Sequence, residues 1–245
     1  MTEREERYVE VPGGWCYTVL DRPVAAVTAV VVCAHGLTGD RSGPAELLAD
    51  WAVGLGATGA AVLRFDFRGS GESSGSWLDT TFAGMTSDLV AVGEWARASI
   101  GPVPLVTAGI SIGGVPAALA APDLDAAGTL LMSSDLIEDV RFEVAESMPI
   151  RGGEFHLPHG FFRERERLHP RSTLATRGRP WGLLYGARDD KLRRAATELA
   201  ALGAWVREIA DTDHLFGSVG ARDSLLEHST GFVADLLGAA HAARE

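Results

Sequence analysis

The hydrophobic and polar positions of the 245-residue chain form two kinds of segment. Short runs that are apolar at nearly every position predict strands buried on both faces, and longer runs with apolar residues at helical spacing predict helices between them. The predicted strands are 29–34, 60–67, 104–110, 128–133, 181–185 and 205–209, and the predicted helices are 44–54, 82–99, 113–121, 192–202 and 224–240. An N-terminal hairpin, "RYVEVPGGWCYTVLDRP", is predicted to turn at "PGG". The pattern therefore predicts an α/β fold whose mostly parallel central sheet is covered by helices on both faces.

One segment interrupts this alternation. From residue 135 to residue 179 the sequence is charged and irregular, with many arginines and three histidines. A long insertion at the ligand-binding edge of a sheet is more often a lid or a pocket wall than an independent domain. We therefore predict a single domain over residues 1–245, with a short lid insertion at about 135–179.

Composition and charge argue against several classes of function. Hydrophobic residues make up 46% of the chain, which permits a substantial core, and the net charge of -11 argues against a nucleic-acid partner because phosphate binding needs a concentrated basic surface. The N-terminal segment has no apolar signal core and later apolar runs are interrupted, so we predict a cytoplasmic protein with no membrane partner. Cys16 and Cys33 are the only cysteines, which favours two packed thiols over a disulfide or a cysteine–metal site.

Polar side chains follow several of the predicted strands. Ser111, Asp189 and His214 each come at or shortly after the end of a strand, and His35 ends another. Because ligands bind beyond the carboxyl ends of the strands in open α/β sheets, we expect these side chains to lie at one edge of the sheet. His35 is predicted to be structural, with its ring bonded to nearby backbone.

The segment "GISIG" around Ser111 matches the G-x-S-x-G pattern. In this pattern a sharp turn between strand and helix holds the serine exposed, and the small flanking residues allow strand and helix to pack closely. A serine hydroxyl is a poor nucleophile until a base takes its proton, so the motif requires a histidine and an acid. His214 and Asp189 follow in the chain order Ser, Asp, His that belongs to this motif.

Five motifs occur in a fixed order over nearly the whole chain, namely "AHGLTGDRSG", "RFDFRGSGESSG", "GISIGG", "YGARDD" and "DTDHLF". On these motifs the sequence resembles the α/β-hydrolase superfamily, and in particular its small cinnamoyl-esterase-like serine hydrolases. The resemblance implies that Ser111 is the nucleophile, His214 the general base and then acid, and Asp189 the residue that fixes the histidine tautomer. It also implies that the backbone N–H groups of Leu37 and Ile112 form the oxyanion hole.

The sharp turn around Ser111, here called the elbow, departs from the family pattern at two positions, and the position of the acid leaves alternatives open. Many relatives have a histidine before the nucleophile and a polar residue after it, whereas this chain has Ile110 and Ile112, which predicts a drier site floor than the feruloyl-ester enzymes have. The spacing of "GARD" favours Asp189 as the acid. Asp190, the next residue, and Asp135, which follows another predicted strand, are the alternatives.

The insertion, together with Trp77 in an earlier loop, supplies candidate substrate-binding residues. The predicted apolar lining consists of Trp77, Phe155, Phe161 and Phe162. The run "FFRERERLHPR" favours a solvated, ion-paired helix face. The alternative is that Arg163 or Arg167 binds a substrate carboxylate with its planar two-donor fork. His156 and His159 are predicted to be pocket-wall or surface residues, since no cysteine or H-E-x-x-H helix accompanies them to form a metal site.

Together these patterns predict a serine hydrolase that cleaves small to medium carboxylic esters through an acyl-enzyme intermediate, without cofactor or metal. The same triad could instead hydrolyse thioesters, lactones or carbon–carbon bonds, or pass the acyl group to another acceptor. From a different class, the chain could be a non-catalytic small-molecule binding protein on the same fold. A binding-only protein has no need for a strained serine, which favours the enzyme.

Overall fold

The computed structural model describes residues 2–143 and 146–242 of the chain. Ten strands are described within these ranges. In chain order they are β1 (Thr2–Val11), β2 (Gly14–Pro23), β3 (Ala29–Ala34), β4 (Ala60–Phe65), β5 (Leu105–Ile110), β6 (Gly128–Met132), β7 (Ser147–Ile150), β8 (Phe155–Pro158), β9 (Trp181–Gly186) and β10 (Trp205–Ile209). The predicted N-terminal hairpin is β1 and β2, joined at Pro12 and Gly13.

Eight of the strands form one sheet in the spatial order β1-β2-β4-β3-β5-β6-β9-β10. The pairings β1–β2 and β2–β4 are antiparallel, and every other pairing in this sheet is parallel. This confirms the predicted mostly parallel sheet. Strand β5 lies between β3 and β6, and Ala34 at the end of β3 is in register with Gly109 in β5. The residues that follow β3 and β5 therefore meet at one edge of the sheet.

Helices cover both faces of the sheet. They are α1 (Leu47–Gly56), α2 (Phe82–Ile100), α3 (Gly114–Ala120), α4 (His159–Arg165), α5 (Pro170–Thr176), α6 (Asp190–Ala201) and α7 (Val219–Ala242). The five helices predicted from the sequence correspond to α1, α2, α3, α6 and α7. Their ends differ by a few residues: Pro44–Glu46 form a separate 3-10 turn before α1, and α7 begins at Val219 rather than at residue 224.

The core has two halves because side chains alternate across each strand. In β3, Val30 and Val32 pack on the face covered by α2 and α3, while Val31 and Cys33 pack on the face covered by α1 and α7. All six residues of β3 are buried, as are those of β4, β5 and β9. Strands buried on both faces explain why these segments are apolar at nearly every position.

The insertion, defined as residues 133–180 between β6 and β9, contains the antiparallel pair β7–β8 and the helices α4 and α5. The sequence pattern did not predict β7 and β8, because four-residue strands with mostly exposed side chains carry no buried alternation. Residues 144–145 of the predicted lid lie outside the described residues. Glu164 in α4 accepts hydrogen bonds from the backbone N–H groups of Phe82 at 2.8 Å and Ala83 at 2.7 Å. The insertion is thereby attached to the first turn of α2, where N–H groups lack helical partners.

Candidate active site

Ser111 stands at a tight turn between β5 and α3. Its backbone is left-handed, with φ of +54°, a conformation that non-glycine residues rarely adopt. A Cβ at Gly109 would lie 2.3 Å from the carbonyl oxygen of Gly113, and one at Gly113 would lie 2.4 Å from the carbonyl oxygen of His35. Neither position has room for a side chain, so the two glycines of G-x-S-x-G allow backbone to pack directly on backbone beneath the serine.

The structure brings Ser111, His214 and Asp189 into one hydrogen-bonded row. His214 Nε2 lies 3.0 Å from Ser111 Oγ, and His214 Nδ1 lies 2.7 Å from Asp189 Oδ2. The two alternative acids are elsewhere: Asp190 forms a surface ion pair with Arg193, and Asp135 Oδ2 lies 2.6 Å from Lys191 Nζ. Of the three carboxylates, Asp189 is the one in contact with the imidazole.

Asp189 is held in its ionised form. Burial favours the neutral acid, but hydrogen bonds from His214 and from the backbone N–H groups of Leu192 and Lys191 outweigh burial and hold the pKa of this carboxyl below its ordinary value. An ionised Asp189 accepts a hydrogen bond from Nδ1–H of His214. The neutral ring then has Nε2 free to accept the hydroxyl proton of Ser111, which is the arrangement a general base requires.

His35 fixes the loop that passes beside Ser111. Its Nδ1–H donates to the carbonyl oxygen of Gly36 at 2.8 Å, and its Nε2 accepts from the N–H of Phe67 at 3.2 Å. Burial lowers the pKa of this imidazole, which keeps the ring neutral so that one nitrogen donates and the other accepts. These are the backbone contacts that the predicted structural role of His35 requires.

Two backbone N–H groups flank Ser111. A Cβ at Gly36 would lie 3.5 Å from Ser111 Cβ, so the loop that carries Leu37 runs directly past Ser111. The N–H of Leu37 donates to no acceptor among the described residues. Ile112 is in the first turn after the elbow, where backbone N–H groups have no acceptor within the helix. These positions suit the predicted role of the Leu37 and Ile112 N–H groups as oxyanion-hole donors, and that role stays a prediction.

Two cavities open onto Ser111 and His214. The inner cavity, about 220 Å³, lies beneath the insertion. Its apolar wall consists of Phe82, Ile112, Val115, Ile137, Phe142, Phe161, Phe162 and Leu192, and its polar wall includes Ser133, Ser134, Asp135, Arg165 and Lys191. The outer groove, about 390 Å³, lies on the other side of Ser111 and is lined by residues 36–40 together with Gly43, Pro44, Ile110, Arg151 and Leu215. A bound molecule could thus extend from Ser111 in two directions.

Comparison with known proteins agrees with this architecture. A family model described as "alpha/beta hydrolase fold" matches residues 29–142, which include the elbow and the loop after β3. The chain has the α/β-hydrolase fold. A curated relative, the lysophosphatidylserine lipase ABHD12 of Danio rerio, is 38% identical over 84 residues, which are 34% of this chain and 21% of that protein. The match therefore spans about a fifth of that relative's length.

Solved structures with the same fold superpose on almost all of the chain. Est1E from Butyrivibrio proteoclasticus, solved with ferulic acid bound, superposes with a TM-score of 0.83 at 19% sequence identity, covering 95% of this chain and 99% of Est1E. The dienelactone hydrolase from Anabaena variabilis superposes with a TM-score of 0.72 at 17% identity, covering 96% of this chain and 98% of that enzyme. At these identities the likeness shows a shared fold.

The predicted pocket residues divide into two groups. Phe161 and Phe162 line the inner cavity as predicted. Trp77 and Phe155 line neither the inner cavity nor the outer groove, so the structure does not bring these two predicted substrate-binding residues to Ser111. Their rings pack edge to face with centroids 5.3 Å apart, and Trp77 Nε1 donates to the carbonyl oxygen of His156 at 3.1 Å. They hold the β7–β8 hairpin against the loop before α2 instead of facing a ligand.

The alternative prediction requires Arg163 or Arg167 to bind a substrate carboxylate, and the structure does not place either side chain in the inner cavity. Arg163 Nη1 lies 2.8 Å from both carboxylate oxygens of Glu166, and Arg167 is exposed. Neither lines the inner cavity, so the ion-paired helix face is the interpretation that the structure supports. The buried arginine is Arg165, which sequence reasoning missed. Its spacing from Phe161, four residues along a helix, places it on the same face and could have identified it.

The described residues contain no group of three or more histidine, cysteine or acidic side chains arranged to hold a metal ion. No described helix combines the length and the apolar character needed to cross a membrane. Cys16 and Cys33 are both buried free thiols, and burial raises the pKa of each, that of Cys33 to about 12.

Proposed function

We propose that this chain is a serine hydrolase that cleaves small to medium carboxylic esters with a triad of Ser111, His214 and Asp189. The observation that carries the proposal is the row Ser111 Oγ to His214 Nε2, 3.0 Å, and His214 Nδ1 to Asp189 Oδ2, 2.7 Å. A weak hydroxyl nucleophile needs a base within hydrogen-bonding distance and a third group that orients the base. Both requirements are met beside a serine in left-handed conformation.

The first half of the reaction forms the acyl-enzyme. Ser111 Oγ attacks the ester carbonyl carbon while His214 Nε2 takes the hydroxyl proton, and the carbonyl π electrons move onto oxygen. The resulting oxyanion accepts hydrogen bonds from the N–H groups of Leu37 and Ile112, each typically worth about 3–4 kcal/mol in the barrier. The carbonyl re-forms, the bond to the alcohol oxygen breaks, and His214 donates its proton to the leaving oxygen.

The second half releases the acid. Water attacks the carbonyl carbon of the acyl-Ser111 ester while His214 Nε2 takes one of the water protons. The bond between the carbonyl carbon and Ser111 Oγ then breaks, and the same proton returns to Ser111. In both halves ionised Asp189 stabilises the imidazolium that forms on His214. The proton balance closes with one water consumed and one acid and one alcohol released.

The cavities support a substrate of modest size. The inner cavity, about 220 Å³, is below the range of about 300–1,000 Å³ that is usual for drug-sized ligands. The phenylalanines in its wall suit an apolar or aromatic part of an ester. The similar structure of Est1E contains ferulic acid, an aromatic acid, and another similar structure is a dienelactone hydrolase. Thioesters and lactones therefore belong in the same substrate panel as esters.

Pre-steady-state hydrolysis of 4-nitrophenyl acetate and butyrate tests the proposal. The wild type is expected to release about one equivalent of 4-nitrophenol per chain in a burst before steady turnover. Ser111→Ala and His214→Ala should each lose kcat by about 10,000-fold or more. Ser99→Ala, at an exposed serine of α2, is the matched control and should behave as the wild type. A folded wild type that turns over no ester, thioester or lactone would contradict the proposal and favour the non-catalytic binding protein.

A further inference from the structure

The inner cavity contains a buried arginine whose hydrogen bonds are incomplete. Arg165 is 4% exposed, and its Nη2 donates to the carbonyl oxygen of Ile137. Its Nη1 is buried, lies on a side chain that lines the cavity, and has no acceptor among the described residues. Buried donors are almost always paired in native structures, so an unpaired one beside a cavity indicates a group that binds there.

A second unpaired polar group lies in the same cavity. Ser133 follows β6, is 2% exposed, and its Oγ has no partner among the described residues. Its backbone is left-handed, with φ of +48°. A hydroxyl and a guanidinium N–H, both buried and both unpaired, thus share a cavity with the nucleophile Ser111. A single polar group on a ligand could satisfy both.

Arg165 forms no ion pair among the described residues. The carboxylates of Asp135 and Glu138 favour its charge from a distance, but both have closer partners: Asp135 Oδ2 lies 2.6 Å from Lys191 Nζ, and Glu138 accepts from the N–H and the hydroxyl of Ser172, both at 2.9 Å. The ring of Phe82, with its centroid 6.0 Å from Arg165 Cζ, gives only a weak cation–π contact. Burying an unpaired cation is costly, and an anionic ligand removes that cost.

We propose that the inner cavity binds an acyl group whose far end carries a carboxylate, held by Nη1 of Arg165 and the hydroxyl of Ser133. The inference rests on the proposed hydrolase function and names its substrate class as monoesters of short dicarboxylic acids. The apolar side chains of the cavity wall contact the connecting chain. A guanidinium suits this role because its N–H donors form short, charge-assisted hydrogen bonds to a carboxylate.

Paired substrates test the inference. Monoethyl esters of dicarboxylic acids with four to eight carbons are compared with ethyl esters of the same length that carry a neutral primary amide in place of the free carboxylate. Hydrolysis is followed by liquid chromatography. At the best chain length the wild type is expected to prefer the carboxylate by about tenfold or more in kcat/KM. Arg165→Met should bring this ratio to about one, and Arg165→Lys should retain part of it because it keeps the charge.

Arg167→Met is the matched control, since Arg167 is exposed in the same segment. It should leave both the rates and the ratio of the wild type unchanged. If Arg165→Met does not fold, the wild type alone still tests the inference: adipate should inhibit 4-nitrophenyl butyrate hydrolysis at about tenfold lower concentration than hexanoate.

The possible failures are distinguishable. Hydrolysis of the neutral esters with no carboxylate preference at any chain length would overturn this inference and leave the hydrolase intact. A preference that persists in Arg165→Met would overturn the assignment to Arg165. No turnover of any ester, including the 4-nitrophenyl esters, would overturn the proposed function and this inference with it.

Discussion

The serine elbow and the insertion meet at the inner cavity but are held in place by different means. At the elbow, backbone packs on backbone: Gly109 against Gly113, and Gly113 against His35, with no space for a Cβ between them. The insertion is held by carboxylates that accept hydrogen bonds from backbone N–H groups. Glu164 attaches it to the start of α2, whereas Glu166 accepts from the N–H of Phe142 at 2.7 Å and joins two parts of the insertion to each other.

Because of this difference, we expect the elbow to determine the type of reaction and the insertion to determine the substrate. Backbone packing fixes the position of Ser111 and tolerates no added side chain, so the chemistry is constrained by the fold itself. A side chain of the insertion can be replaced while the sheet remains intact. The insertion supplies Phe142, Phe161, Phe162 and Arg165 to the inner cavity. Different insertions on one sheet would then give different substrates with one mechanism.

The largest expected effect is on activity and comes from Asp189, the proposed acid of the triad. Asp189→Asn should lower kcat/KM for a 4-nitrophenyl ester by about 10,000-fold, because an amide favours the wrong tautomer of His214. The adjacent Asp190 pairs with Arg193 at the surface, so Asp190→Asn should stay within about twofold of the wild type. An unchanged rate in Asp189→Asn, with a loss in Asp135→Asn, would assign the acid to Asp135 instead.

Alanine substitution of glycines tests backbone packing directly. In Gly113→Ala the new Cβ would meet the carbonyl oxygen of His35 at 2.4 Å, and we expect a loss of about 3 kcal/mol or more in the free energy of unfolding. Gly160, in α4 of the insertion, has no atom within 4 Å of an added Cβ. Gly160→Ala should raise that free energy by up to about 1 kcal/mol. If urea unfolding gave the same change in the free energy of unfolding for Gly113→Ala and Gly160→Ala, the elbow and the insertion would be held in place by similar means.

Removal of a tether should loosen the insertion. Glu164→Ala leaves the N–H groups of Phe82 and Ala83 without their carboxylate, and we expect it to lower the free energy of unfolding by about 1–2 kcal/mol. Trypsin should cleave the insertion faster in this variant at native conditions. Glu154→Ala, at an exposed glutamate of the same insertion, is the control and should leave both measurements unchanged. The same cleavage rate in the two variants would contradict the tether.

The smallest expected effect is the pH dependence contributed by His35. Burial lowers the pKa of its imidazole in the folded chain, although the carboxylates of Asp66 and Asp40 act in the opposite direction. The unfolded chain therefore binds a proton more readily, so stability is present above pH of about 6.5 and is lost as the pH falls below it. His35→Gln should reduce this slope by at most about 1.4 kcal/mol per pH unit. Identical slopes between pH 7 and pH 5 would contradict a neutral, buried His35.

Much of the fold was predictable because strands buried on both faces have short runs of consecutive apolar residues in the sequence. A segment such as "AVVVCA" is apolar at every position since both of its faces are covered. The elbow was predictable because the turn has no room for a side chain at positions 109 and 113, so both must be glycine, and the resulting G-x-S-x-G motif is visible in the sequence. The choice of Asp189 over Asp190 followed from spacing, and in the structure Asp189 is in contact with His214.

The substrate cavity was less predictable because it depends on which side of short helices faces inward. Arg163, Arg165 and Arg167 are identical in type and alternate with glutamates, so composition does not distinguish them. Only the helical register of α4, in which Phe161, Phe162 and Arg165 share a buried face, separates them. Trp77 and Phe155 were predicted to contact substrate on apolar character alone, which does not reveal that the two rings pack on each other.

The central claim is that Ser111 is an activated nucleophile, and labelling with a fluorophosphonate probe tests it most directly. Intact mass should show a single adduct on the wild type, and peptide mapping should place it on Ser111. Ser111→Ala should give no adduct, and His214→Ala should react far more slowly, because the hydroxyl would lack its base. A folded wild type that forms no adduct, or an adduct on another serine that persists in Ser111→Ala, would contradict the account.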